Sequence, residues 1–362
     1  MIMTGLRGVG KTVLLNRFAE LAEMAGWESI ELEASKHDET AFRQSIFSKF
    51  RAALLHISPR RRWSERARHA AEVLSSFVLS IDQSGTFSVT WDVDPSEGYG
   101  DHGDLGLDLT DVFLALGEVA KEKGTGIVLL IDEVQFLTTV QLESLIQAVH
   151  KSVQKKLPIT FVGAGLPQIA ELAGDAKSYA ERLFKFPRID SLTPEEARQA
   201  LVGPAETENV SYDEDAVDLA VSLTHGYPYF IQELGYQAWI VASGNHITAE
   251  DISTAKDAYE AKLDGSFFRV RLDRATPLQT ACMRAMAELG SEPQKAADVA
   301  SLMKRESSQV APIRSQLIDM GLLYTPQHGY AAFTVPDFDK FMMRAVPRLE
   351  VPEIQHRRRR GK

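Results

Sequence analysis

Gly5-Leu-Arg-Gly-Val-Gly-Lys-Thr12 sets glycines, a lysine and a hydroxyl at the spacing G-x-x-x-x-G-K-[ST], which suits phosphate chemistry. Glycines let consecutive backbone N–H groups curl around phosphate oxygens, and a helix that opens at the end of the loop adds its dipole. The expected contacts are Gly5, Gly8, Val9, Gly10, Lys11, Thr12 and Val13, with Lys11 reaching the β and γ phosphates and the Thr12 hydroxyl ligating Mg2+. Arg7 reads as a solvated loop side chain. Gly126-Ile-Val-Leu-Leu-Ile-Asp-Glu-Val134 supplies the partner, an apolar buried strand ending in two carboxylates. Asp132 would hold Mg2+ through its water shell, and Glu133 would orient and deprotonate an attacking water. The chemistry implied is hydrolysis of ATP to ADP and phosphate.

Those groups need elements to position them. β-rich runs at 1–4, 28–32, 127–131 and 159–162 alternate with helical patterns at 13–25 and 140–155, which predicts a parallel sheet wrapped in helices over 1–190. The pattern breaks at 86–93, an alternating exposed strand, and at 95–106, a loop rich in Gly and Asp. A second part, 191–265, opens with Ser191-Leu-Thr-Pro-Glu-Glu196, where Thr193 is the N-cap, Pro194 takes the first helical position and Glu196 completes a capping box. It reads as a small all-α lid. A third part, 266–362, has helical patterns at 278–289, 296–304 and 307–320. Two β-rich arms around Gln327-His328-Gly329 follow, the order of a winged helix-turn-helix. Pro312 is tolerable only in a first turn, so the last of these helices is expected to start near Gln309.

The glycine loop ending in Gly10-Lys11-Thr12, the quartet Asp132-Glu133-Val134-Gln135, the lid and the winged helix together resemble the AAA+ ATPases of the archaeal-ATPase and origin-initiator type, over most of the chain. The resemblance implies an α/β fold: a P-loop NTPase parallel-sheet core with an all-α lid and a C-terminal winged helix-turn-helix domain. It also implies ATP and Mg2+ as cofactors. Gly163-Ala-Gly-Leu-Pro167 falls where such ATPases place the sensor strand. Many of them carry Asn, Ser or Thr there, so this departure implies slow, switch-like turnover. His225-Gly-Tyr-Pro-Tyr229 resembles the Gly-x-Pro lid element that packs near adenine in related signal-transduction NTPases, which makes Gly226 and Pro228 candidates for base contact; a helix-starting turn is the other reading. Arg182, in Ala180-Glu-Arg-Leu-Phe184, falls where AAA+ proteins carry the arginine that reaches a neighbour's γ-phosphate in a homo-oligomer, with Arg188 as rival.

Composition bounds the rest. The 362 residues carry 40 Lys+Arg against 50 Asp+Glu, too balanced for disorder, and a single cysteine, Cys282, excludes an internal disulfide. No apolar run approaches the roughly 20 residues of a spanning helix, and Met1 leads almost directly into the glycine loop, so a soluble, cytoplasmic protein without a signal peptide is expected. Residues 276–362 hold 13 Lys+Arg against 9 Asp+Glu, while residues 1–275 hold 27 against 41. A basic end on an acidic body could meet a polyanion. On the third helix, Ser307, Ser308, Gln309 and Arg314, with Lys304 and Arg305 before them, suit phosphate and base edges. Val310, Ile313, Leu317, Ile318 and Met320 read as core, as do Cys282, Met283 and Met286. Arg357 to Arg360 are either nonspecific phosphate contacts or a solvated terminus, and Arg60 to Arg62, Arg66 and Arg68 form a second basic cluster near Trp63. The reading is an ATP-controlled, DNA-binding AAA+ switch. Two alternatives are a signal-transduction NTPase whose winged helix binds protein and a scaffold that binds nucleotide without hydrolysing it.

Overall fold

The structure is a computed structural model that describes residues 1–35, 39–79, 93–176 and 180–352. The exposed strand expected over 86–93 lies, but for Val93, outside the described residues, as does the Arg357 to Arg360 run. The chain divides into two compact units. One holds Met1–Gly5 and Gly10–Ile189, and the other holds Leu6–Val9 and the chain from Asp190 onward.

The first unit runs β1 (Ile2–Thr4), α1 (Lys11–Met24), β2 (Glu28–Glu33), α2 (Glu39–Ile57), α3 (Glu65–Leu79), α4 (Leu105–Lys123), β3 (Ile127–Asp132), α5 (Thr139–Gln154), β4 (Ile159–Gly165), α6 (Ile169–Ala176) and α7 (Ala180–Leu183). Its sheet is parallel, in the order β1-β4-β3-β2. Residues 185–189 extend it along the free edge of β1: Ile2 N–H donates to the Lys185 carbonyl at 2.8 Å and Ile189 N–H to the Thr4 carbonyl at 2.7 Å. β3 is apolar at every position before Asp132 because both of its faces are covered. Val128 and Leu130 pack with Leu15 and Ala19 of α1, while Ile127, Leu129 and Ile131 join the larger core under α2 to α5. That larger core also holds an ion pair, Arg43 to Asp108 at 2.8 Å, with both side chains buried. Asp108 accepts from His102 N–H as well, and Arg43 donates to Glu39, so neither charge relies on a single partner.

β4 continues three residues beyond the 159–162 run and takes Gly163, Ala164 and Gly165 into the strand. Gly163 fits closely there, since a Cβ would stand 3.0 Å from Val134 and from the Phe161 ring and one of these side chains would have to give way. The pairing Thr4↔Gly165 then aligns the end of β4 with the start of the glycine loop.

The second unit runs α8 (Pro194–Thr207), β5 (Ser211–Tyr212), α9 (Glu214–Thr224), α10 (Pro228–Val241), β6 (His246–Ile247), α11 (Ala249–Lys262) and α12 (Arg269–Leu272). It continues with α13 (Pro277–Leu289), β7 (Gln294–Lys295), α14 (Ala296–Leu302), α15 (Ser307–Asp319), β8 (Leu323–Tyr324), β9 (Tyr330–Phe333) and α16 (Phe338–Ala345). The Thr193 and Glu196 capping box and Pro194 at the first helical position stand as the sequence predicts. Residues 191–265 are helical apart from the short β5–β6 parallel pair. α13, α14, α15 and the β8–β9 hairpin follow in winged-helix order. β7, two residues that no periodicity announces, completes a sheet of order β7-β9-β8.

α15 starts at Ser307, earlier than Pro312 led us to expect, because Glu306 and Gln309 form a capping box. Pro312 therefore lies beyond the first turn, on an exposed face where solvent can take the carbonyl that its missing N–H leaves unbonded. Val310, Ile313 and Leu317 are buried as predicted, and so is Cys282, whose thiol is pushed up to about 12 by burial. That thiol is packing material, not a nucleophile. Among the described residues no helix is long and apolar enough to cross a membrane.

Candidate active site

The glycine loop leaves β1 at buried Gly5 and enters α1 at Lys11, with Gly8 at φ 87 and Gly10 at φ 91. Both angles lie in the left-handed region, where a residue with a Cβ is strained, so the two glycines are what let the loop curl. Gly10 caps α1 without a side chain, and the first turn of the helix carries no acid. The leading N–H groups of the helix, with its positive dipole end, suit an anion. Lys11 is buried, and its Nζ donates to the Gly5 carbonyl at 3.0 Å, which lays the ammonium across the inside of the loop.

The two motifs meet although 120 residues separate them: Thr12 Oγ1 donates to Asp132 Oδ2 at 2.5 Å. Asp132 ends β3 and Thr12 opens α1, which packs on β3, so the contact follows from the sheet order. A cavity of about 260 Å3 lies beside them, lined by Thr12, Asn16, Glu31, Glu33 and Asp132 among others. The paired oxygens suit a hard cation that takes few protein ligands and completes its shell with phosphate and water. Among the described residues no group of three or more His, Cys, Asp or Glu side chains could hold a metal ion.

Glu133 follows at φ 53, an unfavourable conformation for a residue with a Cβ, and its N–H donates to Asp132 Oδ1 at 2.8 Å. Its Oε2 accepts from Gln135 Nε2, and Gln135 Oε1 accepts the Leu166 N–H at 3.0 Å. Gln135 belongs to the motif quartet, whose spacing does not reveal its contact with the end of β4. Val13 is exposed on α1, pointing away from the packed face. Arg182 is exposed on α7, and Arg188 is exposed on the segment along β1.

Leu6–Val9, the tip of the loop, clusters with the second unit. Arg7 is not solvated as expected: its N–H donates to the Thr334 carbonyl at 3.2 Å, and its guanidinium lies where a Cβ on Gly321 would come within 2.5 Å of Nη2. Burial, and then the nearby charge of Arg7, hold the Arg271 guanidinium below its usual range. The Gly8 carbonyl accepts the Tyr229 N–H at 3.3 Å, and a Cβ on Gly8 would stand 3.0 Å from Tyr227 Cε1. Burial raises the Tyr227 phenol, which therefore stays neutral.

The Gly-x-Pro element has backbone work to do. Gly226, at φ 69, leaves 2.3 Å between a would-be Cβ and the Leu192 carbonyl, and Pro228 takes the first position of α10. Of this element, Tyr227 and Tyr229 lie against Gly8. On α15, Ser307, Ser308 and Gln309 are exposed, but Gln309 Oε1 is engaged by the Glu306 N–H. Arg314 is half-buried and Arg305 donates to the Pro352 carbonyl, so two of the expected DNA-facing cations are turned to internal partners or packing. Arg66 of the second basic cluster pairs with Glu122 at 3.3 Å.

The comparisons with known proteins follow the same division. Residues 1–162 match the family described as AAA ATPase domain, and residues 265–342 match a domain of unknown function, DUF8462. Among curated proteins none matches. The fold is similar to that of the Walker-type ATPase paby2304 of Pyrococcus abyssi, at 16% identity, 94% of this chain, 90% of that one and a TM-score of 0.58. Weaker likenesses are Cdc6p from Pyrobaculum aerophilum (16% identity, 95% and 86% covered, TM-score 0.43) and the Aeropyrum pernix Orc1 protein, solved in complex with DNA (15%, 95% and 86%, 0.42). With phosphate loop and acidic strand end joined on a parallel sheet of the P-loop fold, residues 1–162 are similar to the family described as AAA ATPase domain.

Proposed function

We propose that residues 5–12 bind Mg2+-ATP, that Glu133 acts on the attacking water as general base, and that the nucleotide state controls what the winged helix binds. The observation that carries this is the Thr12 to Asp132 hydrogen bond of 2.5 Å beside the buried Lys11 ammonium. Lys11 would exchange the Gly5 carbonyl for β and γ phosphate oxygens, and the N–H groups of Gly8, Val9, Gly10, Lys11 and Thr12 would take the rest. Thr12 and Asp132 would hold Mg2+, which supplies charge neutralisation at the phosphates. Glu133 would accept the proton of the water. Turnover is slow in this reading, because the end of β4 offers Gly163, Ala164 and Gly165 in place of a polar strand side chain. Arg182 would act only across a contact with a second copy, and Gly226 and Pro228 would border the base. Phosphate release from Mg2+-ATP above that of a Lys11→Ala control tests the hydrolytic part; release equal to the control would sink it.

The output we assign is duplex DNA. Exposed Lys304, Ser307 and Ser308 and the basic surplus of residues 276–362 support it. Fluorescence anisotropy of labelled duplex at low salt, with ATP, with ADP and without nucleotide, is the test. Binding that tightens with ATP and weakens with salt supports the reading. A protein partner is the second reading, favoured by Glu306, whose carboxylate caps α15 where a groove-reading helix would meet phosphate. No duplex affinity in any nucleotide state would transfer the proposal to it.

A further inference from the structure

Phosphate chemistry makes no demand on Gln135, yet its side chain is bonded at both ends. Its Nε2 donates to Glu133 Oε2, and its Oε1 accepts from Leu166 N–H at 3.0 Å. Chemistry fixes the direction of the amide, since a backbone N–H can only donate: the oxygen must face Leu166, which leaves the NH2 group for the carboxylate. Gly165 makes the room, because a Cβ there would stand 2.8 Å from Gln135 Oε1. Glu133, meanwhile, sits on a left-handed backbone at φ 53.

We propose that Gln135 is a positioning residue for Glu133. Its amide engages the Glu133 carboxylate and so holds that carboxylate in one orientation for the attacking water. It also ties that orientation to the end of β4 through the Leu166 N–H. The proposal rests on the reading of Glu133 as general base.

Two variants separate this role from simple support. Gln135→Leu removes both hydrogen bonds at similar volume. Gln135→Glu keeps an acceptor for Leu166 N–H and replaces only the donor that faces Glu133. With both, kcat for phosphate release is expected to fall about 10- to 100-fold while the KM for ATP stays within about twofold. Gly165→Ala, which displaces Gln135 without altering it, should lower kcat by a similar factor and add little in a Gln135→Leu background. A readout without turnover is the 15N–1H spectrum of the nucleotide-free protein: Glu133→Ala should shift the Gln135 side-chain amide and leave the Leu166 amide protected from exchange. Wild-type kcat in Gln135→Glu, a loss carried by KM, or an unmoved side-chain amide would overturn the proposal. If the wild-type chain releases no more phosphate than Lys11→Ala, the hydrolytic reading fails on its own, and the spectrum still decides whether the tether exists.

Discussion

The two ends of one glycine loop serve different purposes. Gly10, Lys11 and Thr12 belong to the first unit, where Lys11 bonds to the Gly5 carbonyl and Thr12 to Asp132, the contacts on which the proposed phosphate and metal chemistry rests. Leu6–Val9 belong to the second unit, where Arg7 packs on Gly321 and Gly8 meets two tyrosines. The spacing G-x-x-x-x-G-K-[ST] constrains the first set by chemistry and leaves the x positions open, so the open positions can be shaped by packing. A motif therefore specifies its ligand and stays silent on what its variable residues touch.

Breaking the chemical end should give the largest effects. Glu133→Gln is expected to lower kcat by about 10^2- to 10^4-fold, the usual worth of a general base, while ATP still binds. Single-turnover phosphate release with a parallel binding titration checks it, and retained hydrolysis would remove the base role. Lys11→Ala should weaken ATP by about 10- to 100-fold, from the roughly 1.5–3 kcal/mol of hydrogen bonds to a charged group. Equilibrium dialysis reads this directly, and an unchanged Kd would show that the ammonium bonded to Gly5 does not turn to phosphate.

That end was also the legible one. Two short motifs 120 residues apart place Lys11, Thr12, Asp132 and Glu133, because strand and loop geometry follow from local spacing. The winged-helix order and the Thr193 cap were readable for the same reason. Gln135, Arg7 and β7 were not: each owes its role to a neighbour distant in sequence, namely Leu166, Gly321 and β9. Pro312 misled, since its cost inside a helix depends on whether solvent reaches the freed carbonyl. The edge segment 185–189 carries no strand signal, since Lys185, Pro187 and Arg188 leave it no apolar run, although an edge position tolerates a proline.

Breaking the packing end should move stability and spare nucleotide affinity. Gly226→Ala forces a Cβ to 2.3 Å from the Leu192 carbonyl, with φ at 69, so both a backbone clash and left-handed strain apply. A loss of about 2–4 kcal/mol is expected by denaturant titration. A loss under about 1 kcal/mol would mean that the turn relaxes freely.

Gly321→Ala is the milder counterpart and sharpens the comparison most. Its φ is 68, and its nearest obstacle is Arg7 Nη2 at 2.5 Å, the far end of a flexible side chain. Arg7 can swing aside, so the expected cost is about 1–2 kcal/mol, most of it from the left-handed backbone. In an Arg7→Ala background the clash disappears and only that backbone part remains, so the pair should couple by about 0.5 kcal/mol or more. Because Arg7 also holds the Thr334 carbonyl through its own N–H, Arg7→Ala leaves the backbone course of the loop tip intact. ATP affinity should then stay within about twofold in all three variants. If it falls in step with stability, the open positions of the motif are bound to its chemistry, and the two ends of the loop form one device.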